Sequence, residues 1–150
     1  MGRYAVISDK GVVTNTIEYD GVSEIHNDTK PILINELSVS VGDKYINGDF
    51  YLKPRDGYEY VFNADLLEWS ITAAGQEAKN ADEVEFALMA KNALLSEAYS
   101  TISLWQTKLA LGVISDSEKQ QLIAWLNYID LLDAVDISQA SNIEWPIAPE

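Results

Sequence analysis

The chain has 150 residues, 47% apolar and 10% aromatic, with a net charge of −14 and no cysteine. That length suits one ordinary domain or two small lobes sharing a core, and a folded chain of this size hides roughly 70% of its unfolded surface. Lack of cysteine excludes disulfides and thiolate catalysis. No apolar run reaches the ~18 residues of a membrane span, and a charge of −6 over residues 1–72 and −8 over 73–150 repels phosphate backbones, which argues against nucleic acid as a partner.

The first 72 residues read as a β-rich lobe. Met1-Gly2-Arg3-Tyr4-Ala5-Val6-Ile7 lacks an apolar run of signal-peptide length. Tyr4–Ile7 and Val12–Tyr19 are strand-like and are joined by Asp9-Lys10-Gly11, a hairpin pattern. Further strands are expected over Lys30–Leu37, Asp43–Ile46, Asp49–Leu52, Tyr58–Phe62 and Leu67–Thr72. Asn47-Gly48 is the strongest hairpin turn, since both residues tolerate positive φ.

The character changes at Ala73, and residues 73–141 read as a helical hairpin. Ala73–Asn80, with Gly75, is expected to form the joint between lobes. Residues 82–111 contain neither Pro nor Gly. Their apolar positions, with Ala81 leading, are Val84, Leu88, Leu95, Ala98, Ile102, Trp105 and Leu109, a three-four spacing broken at Lys91. Asn80 with Glu83 forms a candidate capping box for this helix. Gly112 suits a left-handed C-cap. Ser115-Asp116-Ser117-Glu118 starts a second helix, whose seam is Leu122, Trp125, Ile129 and Leu132. The short connection requires antiparallel neighbours. Trp105 and Trp125 lie ten residues either side of Ser115. They are expected to share a buried cluster with Ile102, Leu109 and Leu122.

Residues 142–150 read as an extended tail ending in Trp145-Pro146-Ile147-Ala148-Pro149-Glu150. Pro146 pushes Trp145 towards an extended conformation. Such an aromatic anchor either clamps on its own hairpin or is offered to a partner. Tyr128 lies off the strict seam and is open to either role. Asp130, Asp133 and Asp136, at spacings of three, are expected on one helix face, either solvated or facing a basic partner.

Several of these patterns together resemble the phage tail-fibre assembly proteins, a family of small chaperones. The C-terminal signature is Trp125-x-x-Tyr128, Leu132, Val135-Asp136 and Ile143-x-Trp145-Pro146-x-x-Pro149. Gly11-Val12-Val13-x-Asn15-x-Ile17-x-x-Asp20-Gly21 is similar to the family's opening hairpin. Val41-Gly42-Asp43-x-Tyr45-x-x-Gly48-x-Phe50-x-x-x-Pro54 is similar to its central segment, and Gly112-x-x-Ser115-Asp116-x-Glu118 to its helical corner. Departures are Ile129 and Ala134, where members usually carry Arg, and Ser141, where they usually carry Pro. The resemblance implies an α+β fold and a partner, the C-terminal tip of a tail-fibre protein. It also implies that binding promotes fibre folding and trimerisation in the host bacterial cytoplasm, with retention on the finished fibre and homo-oligomerisation left open. Tyr128, Asp130, Asp133, Asp136, Trp145, Pro146 and Pro149 are the candidate partner-binding residues.

Catalysis needs a proton shuttle or an activated nucleophile. His26 is the single histidine, expected in a surface loop, with no Gly-x-Ser-x-Gly elbow to serve. Asp43-x-x-x-Asn47-Gly48-Asp49 fails as a calcium loop because Tyr45 takes a ligand position and no bidentate Glu closes it. No nucleotide-binding Gly pattern is present. The chain therefore reads as a non-enzyme without metal or cofactor. The alternative function is an adhesive tail-tip component that binds host surface glycan through Tyr45, Phe50, Tyr58 and Tyr60.

Overall fold

Strand β1 (Gly2–Ile7) pairs antiparallel with β2 (Val13–Tyr19), Gly2 opposite Tyr19 and Ile7 opposite Val13, with a register shift between Val6 and Ile7. The turn between them needs Gly11 twice over. Its φ is +67°, and a Cβ there would meet the Tyr45 carbonyl oxygen at 2.7 Å. The computed structural model describes residues 1–23, 25 and 31–150, so the surface loop expected around His26 lies outside the described residues. The fold is α+β, as the sequence predicts. The chain forms two compact units, Met1–Glu77 and Ala78–Glu150.

In the first unit, β3 (Ile32–Leu33) adds to the other edge of β1, giving the order β2-β1-β3. The longer strand expected over Lys30–Leu37 does not form across its described part, Pro31 to Leu37. Asn35 takes φ +33°, and Leu37 N–H turns back to Ile34 O at 2.7 Å. Strands β4 (Lys44–Ile46) and β5 (Asp49–Tyr51) form a second hairpin. Its turn residues, Asn47 and Gly48, have φ of 54° and 101°. Tyr45 N–H donates to Gly11 O at 2.9 Å, which ties this hairpin to the first. Strands β6 (Tyr60–Asn63) and β7 (Glu68–Ile71) form a third.

Among the described residues of this unit, Ala5, Val13, Ile34 and Val39 are the buried apolar ones, with Ile7 and Phe50 packed against them. Asp43 is also buried, at 1% exposure. Its carboxylate accepts from Ser40 N–H at 2.7 Å, Lys53 N–H at 2.8 Å and Arg55 Nη2 at 3.0 Å. Arg55 donates also to Ser38 O at 2.7 Å. A buried carboxylate is tolerated only when fully satisfied in this way.

Helix α1 (Ala73–Ala110) begins earlier than the Asn80 cap predicts. Thr72 supplies the cap: its Oγ1 accepts from Gly75 N–H at 3.0 Å, and its carbonyl accepts from Gln76 N–H at 2.8 Å. Gly75 is a first-turn residue packed on backbone, where a Cβ would lie 2.4 Å from Glu59 O, and the division between the two units, after Glu77, falls within the Ala73–Asn80 stretch. Gly112, at φ +70°, ends α1. Val113 N–H bonds Lys108 O at 2.9 Å and Gly112 N–H bonds Leu109 O at 3.1 Å, the paired bonds of a Schellman motif. Helix α2 (Asp116–Asp133) opens with the Ser115–Glu118 capping box. A 3-10 helix, Ile137–Asn142, precedes the extended tail.

Candidate functional site

The C-terminal unit is built on one apolar seam. Ala98 and Ile102 of α1 are buried with Leu122, Tyr128, Ile129 and Leu132 of α2. Trp105, Ile114, Trp125 and Trp145 pack half-buried against this cluster. Trp125 meets Tyr128 edge-on, with ring centroids 5.6 Å apart. Leu109, expected in the same cluster, is instead 48% exposed. The level that faces it on α2 is set by the ion pair between Lys108 and Glu118. There α2 presents its first, polar turn, Asp116-Ser117-Glu118-Lys119, which cannot cover a leucine.

The far end of the hairpin is closed by Lys91, the residue that breaks the apolar spacing of α1. Its Nζ donates to Asp133 O at 2.8 Å and to Val135 O at 3.1 Å. These are carbonyls at the C-terminal end of α2, where a cation is favoured by the helix dipole. The position is legible in sequence as a lone lysine on an apolar seam. Its partner is not, because the carbonyls belong to a helix end some forty residues away.

The three aspartates do not share a helix face. Asp130 and Asp133 are exposed in the last turn of α2. Asp136 lies beyond the helix and caps the 3-10 segment, accepting from Ser138 N–H at 3.0 Å and Ser138 Oγ at 2.7 Å. The Ser138 hydroxyl, its backbone N–H and the nearby Lys91 charge together lower the Asp136 pKa. The helix ends before residue 136 because Ala134 N–H bonds Asp130 O and Val135 N–H bonds Leu132 O, after which the chain turns extended.

After the 3-10 helix the chain turns back, and Trp145 lies against the hairpin's own cluster. Pro146 and Pro149 are half-buried, whereas Ile147 is 92% exposed. Two depressions flank this turn. One, of about 220 Å³, is lined by Asn80, Glu83, Val84 and residues 138–142. The other, of about 180 Å³, is lined by Val135, Asp136, Gln139, Asn142, Ile143 and Glu144. Among the described residues no group of three or more His, Asp or Glu is placed to hold a metal ion. No helix among the described residues is long and apolar enough to cross a membrane.

The outer surface of α2 was missed in the sequence. Ile123, Leu126 and Leu131 are 45%, 40% and 59% exposed. They fall outside the seam spacing, and single exposed apolar residues carry no signal until the buried face is fixed. In the first unit, the aromatics considered for glycan binding are engaged internally. Tyr45 packs on Phe50 with centroids 4.7 Å apart, and Phe50 packs on the core. Tyr60 donates to Asp56 at 2.7 Å, and that bond raises the Tyr60 pKa.

The family described as Caudovirales tail fibre assembly protein, lambda gpK, matches residues 14–150. The chain is 43% identical over 70 residues to the uncharacterized protein YmfS of Escherichia coli K12, covering 45% of this chain and 51% of that one. It is 37% identical over 75 residues to the prophage tail fiber assembly protein homolog TfaE of the same strain, covering 49% and 38%. It is 43% identical over 60 residues to a probable tail fiber assembly protein of Shigella phage SfV, covering 40% and 34%. The chain thus spans about half or less of the length of these relatives. No solved structure matches it significantly.

Proposed function

Because the chain belongs to the Caudovirales tail fibre assembly family, we propose that it assists assembly of a phage tail fibre by binding the C-terminal tip of the fibre protein. The family match across residues 14–150 is the observation that carries this reading. Intertwined fibre trimers depend on non-local β pairing, which forms slowly and leaves strand edges exposed meanwhile. A partner that masks the tip suppresses wrong pairings and favours trimer registration. The free energy comes from differential binding of fibre states, without turnover. The work takes place in the host bacterial cytoplasm during phage assembly.

The C-terminal unit is the proposed binding half. Its net charge is −7 over residues 78–150. Two of its four lysines, Lys91 and Lys108, are engaged within the unit, which leaves an acidic outer surface for a basic partner. The test is co-expression with the neighbouring fibre gene. Trimer yield should depend on this chain and rise in proportion to it. Equal trimer yield without the chain, or many trimers per chain, overturns the reading.

A further inference from the structure

The outward side of α2 carries three exposed aliphatic side chains that nothing covers among the described residues. Leu122, Tyr128, Ile129 and Leu132 occupy the side turned to the core. Ile123 and Leu126, one turn apart, lie on the other side, with Leu131 at the far edge of that side, each at least 40% exposed. Three large aliphatic side chains on one short helix are more than scattered surface apolar residues.

The charges on the same face say what suits it. Asp130, at i+4 from Leu126 and i+7 from Ile123, and Asp133, at i+7 from Leu126, lie on the same side in the last turn of α2, which holds no basic residue. Carboxylates at that end oppose the negative pole of the helix dipole, so they lower the helix's own stability. The Lys91 ammonium compensates, but from α1 and at the backbone carbonyls of Asp133 and Val135, not at the carboxylates. Neither Asp130 nor Asp133 is within salt-bridge distance of a described cation. Asp116 adds a third carboxylate at the other end, against the single ammonium of Lys119. A local rule broken with no gain inside the chain points outside it.

We propose that this face of α2 docks a basic amphipathic segment of the fibre polypeptide. Aliphatic side chains of that segment cover Ile123, Leu126 and Leu131, and its Lys or Arg residues meet Asp130 and Asp133. The proposal rests on the fibre-assembly reading and adds the face and the partner's chemistry to it. A second copy of this chain is the poorer occupant. Two such faces would bring six carboxylates together against two ammonium groups, between chains that each carry −14.

The experiment uses the full chain and two synthetic 18-residue helical peptides with the same leucine stripe, one flanked by lysine and one by glutamate. At low salt the lysine peptide should bind at least about tenfold more tightly. The double substitution Ile123→Ser/Leu131→Ser should weaken it by about tenfold or more. Asp130→Asn/Asp133→Asn, which keeps the apolar stripe, should remove most of the preference between the two peptides. Equal binding of both peptides, or unchanged binding by both variants with native circular dichroism, overturns the proposal. So does a concentration-dependent dimer that Ile123→Ser/Leu131→Ser abolishes, which assigns the face to a second copy. Co-expression with the fibre gene separates the two levels. If the wild-type chain is required and Ile123→Ser/Leu131→Ser supports full trimer yield, the docking face is wrong and the assembly role stands. If the wild-type chain is itself dispensable, the assembly role fails.

Discussion

The two units are held together by different chemistry. Met1–Glu77 has short strands, two to seven residues long, and four buried apolar side chains among its described residues. Small hairpins cannot cover a large core. The unit is instead cross-linked through polar contacts: the Asp43 carboxylate binds Ser40, Lys53 and Arg55, and Arg3 donates to Val39 O at 2.9 Å. Ala78–Glu150 has the opposite design. Its middle is an apolar seam, and its principal inter-helix polar contacts sit at the two ends, Lys108–Glu118 at the turn and Lys91 on the α2 carbonyls. A two-helix seam leaves the outer faces of both helices uncommitted, which is the property a binding unit needs.

Breaking the polar cross-link should have the largest effect. Asp43→Ala strands the part-buried Ser40 and Lys53 N–H groups and should cost about 3–4 kcal/mol, less than a fully buried ion pair because Arg55 stays half in water. Native-state hydrogen exchange should show the loss in β1 to β5. Leu132→Ala, at a fully buried seam position, should cost about 3 kcal/mol with the loss localised to α1 and α2. If each substitution accelerates exchange equally in both units, the contrast between them collapses. Trp145→Ala should cost about 1–2 kcal/mol, because the indole is only half-buried on the cluster. A loss above about 4 kcal/mol would make the tail part of the core.

The smallest effect is in acid. Hydrogen bonds from Lys108 and from the Ser115 backbone, with the Lys108 charge, lower the Glu118 pKa from 4.5 to about 2. A depressed carboxylate stabilises the fold fully above 4.5, and that contribution fades as pH falls towards 2. The wild-type chain should therefore lose more stability than Glu118→Gln between those values. The difference should be small and salt-sensitive, since the pair is partly exposed. Parallel pH profiles for the two proteins would show that ionisation of Glu118 adds nothing to the corner.

Local chemistry was the legible part of this fold. Asn47-Gly48 and Gly11 fix their hairpins through positive φ, and Ser115 with Glu118 fixes the start of α2. What depended on distant partners was not legible. Gly75 reads as part of a joint, yet it is a first-turn residue of α1 at a place where backbone at Glu59 leaves no room for a Cβ. Asn35 shortens β3 by a backbone conformation that its neighbours do not announce. Asp136 shares the three-residue spacing of Asp130 and Asp133, but the helix ends before reaching it. Of the candidate partner-binding residues, Asp130 and Asp133 lie on the exposed end of α2, Tyr128 is buried, and Trp145 is packed on the hairpin. Spacing identified unusual residues without telling which of them face outward.

The most direct test of a binding C-terminal unit beside a scaffold β unit is a hydrogen-exchange footprint of the full chain with and without the fibre's C-terminal fragment. The predicted result is protection concentrated in residues 116–150, on α2 and the tail, with β1 to β7 unchanged. Protection confined to Met1–Glu77 would contradict it and put the fibre-binding surface on the β unit.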